Sequence, residues 1–368
     1  MAARVSGYKP CVSDPFERVF CGDYATARAG FREAAGRAGY ELVAVPIGQL
    51  GPDGTELTLD VALRGASTAP RALVLSSGLH GIEGYFGSAV QRAWLEGPGR
   101  APDRERRVVL IHALNPYGFA WRRRVNEDNI DLNRNFMRQG QAYQGADPGY
   151  RELDHLLNPE RAPRRFEPFL LEALPALAKH GFRALKNAVA QGQYEFPRGL
   201  FYGGSGLSKS GQLLRVHLPG WLGRPERVMH LDLHSGRGAF GSYALCVDLP
   251  SESERVASLR ERFGAHAVES FDPKGVLYQI RGALGPWLEE LFPTVHYDCL
   301  LAEFGTYNAI KVLEAMRYEN LAHHHVEQPA PVYERAKQRM FEAFCPASSK
   351  WRTLVLERAS KVIQQASA

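Results

Sequence analysis

A histidine and a glutamate three residues apart follow an apolar run in Leu75-Ser76-Ser77-Gly78-Leu79-His80-Gly81-Ile82-Glu83. Imidazole nitrogen and carboxylate oxygen are the donors that zinc takes at about 2 Å, and hydrolytic zinc sites use three protein donors with one position left for water. His80 and Glu83 on one tight turn can supply two of the three, although an HxxE pair by itself is common by chance. A second apolar run ends the same way, in Val228-Met229-His230-Leu231-Asp232-Leu233-His234-Ser235-Gly236. Side chains of a strand alternate with a period of two, so His230, Asp232 and His234 share one face. Two histidines are therefore candidates for the third donor. His234 stands at the strand end, where open α/β sheets place their ligands; His230 lies deeper, where a satisfied core histidine is expected. A third run, Leu300-Leu301-Ala302-Glu303-Phe304-Gly305, ends on a carboxylate. Between the first two runs, Arg124 to Phe136 is dense in Asn, Asp and Arg, a composition that also suits a solvated loop.

These runs must be strands of one sheet for the residues to meet. Short apolar stretches at 72–76, 108–113, 228–233, 242–247 and 299–302 each stop abruptly at polar residues, and helical patterns at 88–95, 252–263 and 285–291 lie between them. A helix over 24–38 precedes a strand at 41–47, a Gly-Pro-Asp-Gly turn and an alternating strand at 56–63, the pattern of a hairpin with a longer loop. Strands alternating with helices indicate an α/β fold on a mostly parallel or mixed sheet. Parallel topology brings the strand ends bearing His80, Glu83, His234 and Glu303 to one edge. The expectation is a single domain over 1–368, three-layer α/β/α with a central mixed sheet. A helical and Gly-rich insertion at about 137–226 carries a long helical pattern at 167–191, then a flexible Gly-rich run near 203–210 at the substrate entrance. Long loops of this kind often cover a site. A helical tail at about 330–368 is expected to pack on the outside.

Taken together, HxxE, then Asp131-Leu132-Asn133-Arg134-Asn135-Phe136, then a distant histidine and a late glutamate resemble the M14 zinc carboxypeptidase superfamily. The stretches Asp232 to Gly236, Arg124 to Phe136 and Pro197 to Gly204 are similar to its DUF2817 branch, a relative of the aspartoacylase and succinylglutamate desuccinylase group. The resemblance covers roughly 73–307. It implies one zinc per chain held by His80, Glu83 and His234, with Glu303 as general base on zinc-activated water and then proton donor to the leaving amine. It further implies that Arg124 stabilises the oxyanion, that Asn133 and Arg134 bind a substrate carboxylate, and that Asp131 orients the first zinc histidine. Tyr278, near Gly282 and Trp287, resembles the mobile active-site tyrosine of carboxypeptidases. The family's Asn-Pro-Asp-Gly reads Asn115-Pro116-Tyr117-Gly118 here. The implied activity is hydrolysis of an amide next to a free carboxylate, in a small peptide. The alternatives are deacylation of an N-acyl amino acid and a binding protein that kept the fold and lost catalysis.

The rest of the chain narrows the classes. With 45% hydrophobic and 23% charged residues over 368 positions, it can bury a large core. A net charge of +5, spread over short arginine runs, does not form the basic stripe that nucleic acid requires. No stretch approaches a membrane span and the amino end lacks a secretory pattern, so a cytoplasmic location is expected. The five cysteines are scattered without CxxC spacing, which argues against metal binding and disulfides. His323-His324-His325 reads as a solvated helix end, because three consecutive histidines cannot easily face one ion. The run from 203 to 210 lacks the pattern of a phosphate loop.

Overall fold

The apolar runs form the middle of one eight-stranded sheet in a computed structural model that describes residues 17–101, 105–165, 167–271 and 280–368. The strands are β1 (Glu41–Leu50), β2 (Glu56–Arg64), β3 (Arg71–Ser77), β4 (Arg106–His112), β5 (Arg227–Ser235), β6 (Tyr243–Pro250), β7 (Val268–Phe271) and β8 (His296–Phe304). Their spatial order is β1-β2-β4-β3-β5-β8-β6-β7. The central four, β4, β3, β5 and β8, are parallel, and antiparallel pairs flank them. The sheet is therefore mixed, as expected. β3 and β5 are buried on both faces over most of their length, which is why their sequences are near-continuous apolar runs.

Alternation along the strands assigns helices to the two faces. Ser77 faces the helix Gly84–Glu96, hydrogen-bonding Gln91, while Phe304 packs on Phe86 of the same helix and Phe86 in turn on Trp351. On the opposite face, which carries Ser76, His230 and Cys299, the helix Leu284–Leu291 sits so close that a Cβ on Gly285 would meet the Cys299 Cβ at 3.5 Å. Helices on both faces of a mixed sheet give the three-layer α/β/α arrangement.

Several elements depart from the sequence expectation. The pattern over 167–191 is two helices, Phe169–His180 and Phe182–Ala190, because Gly181 takes φ 75° between them. With the helix Pro148–Leu157 they form a small core of their own around Tyr150, Leu157, Phe169 and Leu185. The run expected to be flexible near 203–210 enters the helix Lys209–Leu222, capped by Ser208 and anchored by Leu214, Leu218 and Leu222 in the main core. The tail does not simply lie outside: the helix Ser349–Ser367 buries Trp351, Val355, Ala359, Val362 and Ile363 in that core. The short edge strand β7 was not expected. Among the described residues, no helix is long and apolar enough to cross a membrane.

Candidate metal centre

The turn after β3 is shaped by close backbone approach. Gly78 has φ 62°, and a Cβ on Gly81 would stand 2.1 Å from the carbonyl carbon of Gly118, so glycine is required there. The Asn115 side chain accepts from Gly118 N at 2.8 Å, which fixes the opposite wall. Gly81 N donates to Arg124 O at 3.0 Å and Ile82 N to Arg123 O at 2.8 Å, tying the turn that carries His80 and Glu83 to the start of the Asn-, Asp- and Arg-rich segment.

His80, Glu83 and His234 converge, with one donor atom from each lying within 4.8 Å of the others. Nδ1 of His80 is 2.9 Å from Glu83 Oε1, Nδ1 of His234 is 2.9 Å from Glu83 Oε2, and the two Nδ1 atoms are 3.2 Å apart. Behind them, Nε2 of His80 lies 3.2 Å from Asp131 Oδ1 and Nε2 of His234 lies 2.6 Å from Asp232 Oδ2. When each Nε2–H donates to its aspartate, both Nδ1 atoms and the Glu83 carboxylate face one another as bare acceptors. In that tautomer the trio is a donor set that could hold a cation. A tetrahedral zinc with ligands at about 2.0–2.1 Å separates them by about 3.3 Å, so the observed spacing fits that group. Burial opposes charge on His234, but Asp232 and Glu83 raise its pKa well above the ordinary value; burial likewise works against the Asp131 and Glu83 carboxylates, which Arg124 and the two histidines hold low. Among the described residues no other group of His, Cys, Asp and Glu is so disposed.

Arg124 is drawn into the same cluster, its Nε donating to Asp131 Oδ2 at 2.9 Å and its Nη1 to Glu83 Oε1 at 3.3 Å. Its Nη2 also stands 2.7 Å from His80 Nε2. That contact requires Nε2 to be an acceptor, whereas the metal-ready tautomer makes Nε2 the donor to Asp131. The Arg124 contact to His80 Nε2 and the metal-ready tautomer therefore exclude each other.

The other polar residues of this segment mainly hold the insertion. Asn129 Nδ2 donates to Pro197 O and Gly199 O, Asn135 Nδ2 to Gly203 O and Gly206 O, and Asp131 N to Tyr202 O. Asn133 and Arg134 are each only 2% exposed. Asn133 Oδ1 accepts from Leu284 N at 3.2 Å, and Arg134 donates from Nε and Nη2 to Ala190 O, at 3.0 and 2.6 Å. Phe201, with φ 57°, has the Arg124 and Arg134 guanidinium carbons 5.6 and 5.7 Å from its ring centre.

Glu303 ends β8 directly beside His234, its register partner on β5. Burial pushes its carboxyl pKa up, with His234 opposing and Glu83 adding to the rise. His230 is the satisfied core residue expected: its Nε2 lies 2.6 Å from Ser76 Oγ and its Nδ1 3.0 Å from Tyr297 Oη. Asp232 was noted on the same strand face but not assigned a role; its signal is its place two residues before His234. Phe201 carries no sequence signal beyond the aromatic run. Tyr278 lies outside the described residues. The histidine triplet ends the helix Ala309–His325, but it is not simply solvated: burial, aided by Arg123, lowers His323 to about 3 and His324 to about 4.

The chain matches the family described as "Protein of unknown function (DUF2817)" over residues 20–358. No curated protein matches it. Among solved structures, it is similar to bovine thrombin-activatable fibrinolysis inhibitor at 12% identity, covering 94% of this chain and 98% of that one with a TM-score of 0.46. A candidate metallopeptidase of Shewanella amazonensis SB2B gives 16% identity, 88% and 94% coverage and 0.43. Murein-tripeptide amidase MpaA of Escherichia coli O157 gives 16%, 78% and 93%, and 0.35.

Proposed function

The chain belongs to the DUF2817 family, and from the chemistry of its buried cluster we propose that it is a zinc-dependent hydrolase that cleaves an amide bond next to a free carboxylate. The observation that carries this reading is the meeting of His80 Nδ1, Glu83 and His234 Nδ1, each histidine backed by an aspartate, with Glu303 alongside. His80, Glu83 and His234 would hold the ion, which when bound polarises a carbonyl and acidifies water. Asp131 and Asp232 keep each Nε2 protonated and aimed, so that both Nδ1 lone pairs point inward. Glu303 accepts a proton from the attacking water as the new C–O bond forms. It returns that proton to the amide nitrogen as the C–N bond breaks, a task suited to a carboxyl whose proton affinity is raised. Arg124, released from His80, donates to the carbonyl oxygen as charge builds there. Arg134 can take the substrate carboxylate in its fork by exchanging its bonds to Ala190 O.

Elemental analysis of the purified protein beside His234→Ala tests the site, followed by assay on short peptides and N-acyl amino acids. The expected result is about one zinc per chain in the parent, little in the variant, and zinc-dependent amide cleavage. A parent that takes up no metal after dialysis against zinc would overturn the reading.

A further inference from the structure

Arg123, Arg124, Arg134 and Arg237 lie in the segments that build the proposed centre, and the first three are committed. Arg123 is buried against Glu319, Asn129 and Asn320, Arg124 serves the metal donors, and Arg134 lies beneath the insertion. Arg237, three residues beyond His234, differs in being 29% exposed.

Strand register locates it. His234 on β5 pairs with Glu303 on β8, Glu303 pairs with Ala244 on β6, and Cys246, two residues on, pairs with Glu269 on β7. Paired residues on neighbouring strands, and residues two apart on one strand, project to the same face. His234, Glu303, Cys246 and Glu269 therefore form a row across one face, leading away from the metal donors. Arg237 lies over the far part of that row, with Nη1 3.2 Å from Cys246 Sγ and Nη2 donating to Glu269 Oε2 at 2.6 Å. Strands stand about 4.8 Å apart, so the guanidinium is about 5–10 Å from the Glu303 carboxyl, on the side away from His234. The charges of Glu303 and Arg237 act on each other. The loop that presents Arg237 is fixed: Gly236 and Gly238 take φ 107° and 109°, and Gly236 N donates to Phe304 O at 3.0 Å.

Resting on the amide-hydrolase reading above, we infer that Arg237 is a specificity-determining residue, and that the amino acid released from the amide carries a second anionic group of the aspartate or glutamate type. With the scissile carbonyl between the metal donors and Glu303, a glutamate side-chain carboxyl lies about 6 Å from the carbonyl carbon along a chain of about 1.5 Å bonds. That reach matches the position of Arg237. The guanidinium has five N–H donors and spends two on Cys246 and Glu269, so its planar fork can receive a carboxylate in addition. Glu269, itself 38% exposed, steadies the fork without burying it.

The test compares isosteric leaving groups, N-benzoylglycyl-L-glutamate against N-benzoylglycyl-L-glutamine, in the zinc-loaded parent, Arg237→Met and Arg237→Lys. The parent should favour glutamate in kcat/KM by about ten- to hundredfold, the worth of a charged hydrogen-bonded pair. Arg237→Met should bring the ratio close to one, and Arg237→Lys should restore part of it. A ratio that is the same in the parent and Arg237→Met would overturn the inference while leaving the hydrolase reading intact. If the zinc-loaded parent cleaves neither amide, the hydrolase reading fails for these substrates. Calorimetric binding of L-glutamate and L-glutamine to the same three proteins then decides: a preference for glutamate lost in Arg237→Met supports the inference, and equal binding overturns it.

Discussion

His234 and Glu303 are register partners on adjacent parallel strands, β5 and β8. The proposed third metal donor and the proposed base are thus side by side on the sheet's own hydrogen-bonded frame, although 68 residues lie between them in sequence. Rigid strands hold such pairs more exactly placed than loops do. It follows that the two roles can be separated by substitution without disturbing the frame.

Glu303→Gln keeps the shape and removes the basic oxygen. Because Glu303 is not among the converging donors, metal content should stay near one per chain while amide turnover falls by about a hundredfold or more, the usual loss for a general base. Elemental analysis and turnover on one preparation check this. Retained turnover would show the base to be another group.

Asp232→Asn tests the support behind His234. The amide can present its NH2 to Nε2, which favours the wrong imidazole tautomer and turns Nδ1 into a donor. Zinc affinity should fall about 10- to 100-fold by competition titration with a chelator, with the fold intact. His230→Gln, in contrast, alters a histidine bonded to Ser76 and Tyr297 and should cost stability with little change in zinc affinity.

Much of the sheet, and the meeting of His80, Glu83 and His234, could be read from the sequence because they obey short-range rules. β3, β5 and β8 are apolar runs that each stop at a glycine, Gly78, Gly236 and Gly305, with His80, His234 and Glu303 two residues from it, and the pattern points to one sheet edge. What sequence did not reveal depends on long-range partners. The resemblance implies substrate binding by Arg134 and Asn133, and their bonds to Ala190 O and Leu284 N are partners that nothing local foretells. The tail's burial follows from Trp351 donating to Gly305 O and packing on Phe86, again a distant match. Gly181 could have been read as a helix break, since a glycine within a long helical pattern is a natural stop.

Arg134→Ala probes the segment's double service. Loss of the guanidinium removes the bonds to Ala190 O that fasten the insertion and also the proposed carboxylate fork. The expected result is a rise in KM of about tenfold or more for substrates with a free carboxylate, with a much smaller rise for their carboxamides. Equal losses on both would restrict Arg134 to holding the insertion.

The buried Arg123–Glu319–Lys337 group gives stability a pH signature. Arg123 Nε donates to Glu319 Oε1 at 3.1 Å and Lys337 Nζ to the same oxygen at 2.5 Å, so two cations face one carboxylate. Burial raises the Glu319 carboxyl, but Arg123 and Lys337 outweigh it and bring it to about 2; burial lowers Lys337 to about 8 in spite of Glu319. The carboxylate gains from the pair, while Glu319 does not offset the desolvation of the ammonium. Two cations surround the Glu319 carboxylate, so loss of its charge in acid weakens the fold. A carboxyl depressed in the fold lends stability that is complete above its unfolded value, near 4.5, and is lost as pH falls toward 2. That loss is on the order of 3 kcal/mol. Lys337 acts in the other window, where deprotonation between about 8 and 10.5 relieves a cost and adds stability. Thermal unfolding of the parent and Glu319→Gln across pH should show the variant destabilised by about 3 kcal/mol at neutral pH, since it leaves two buried cations unpaired. The gap should narrow steadily below pH 4.5. A gap that stays constant to pH 2 would mean that Glu319 does not carry the charge that holds the tail helix of Lys337 to the segment of Arg123.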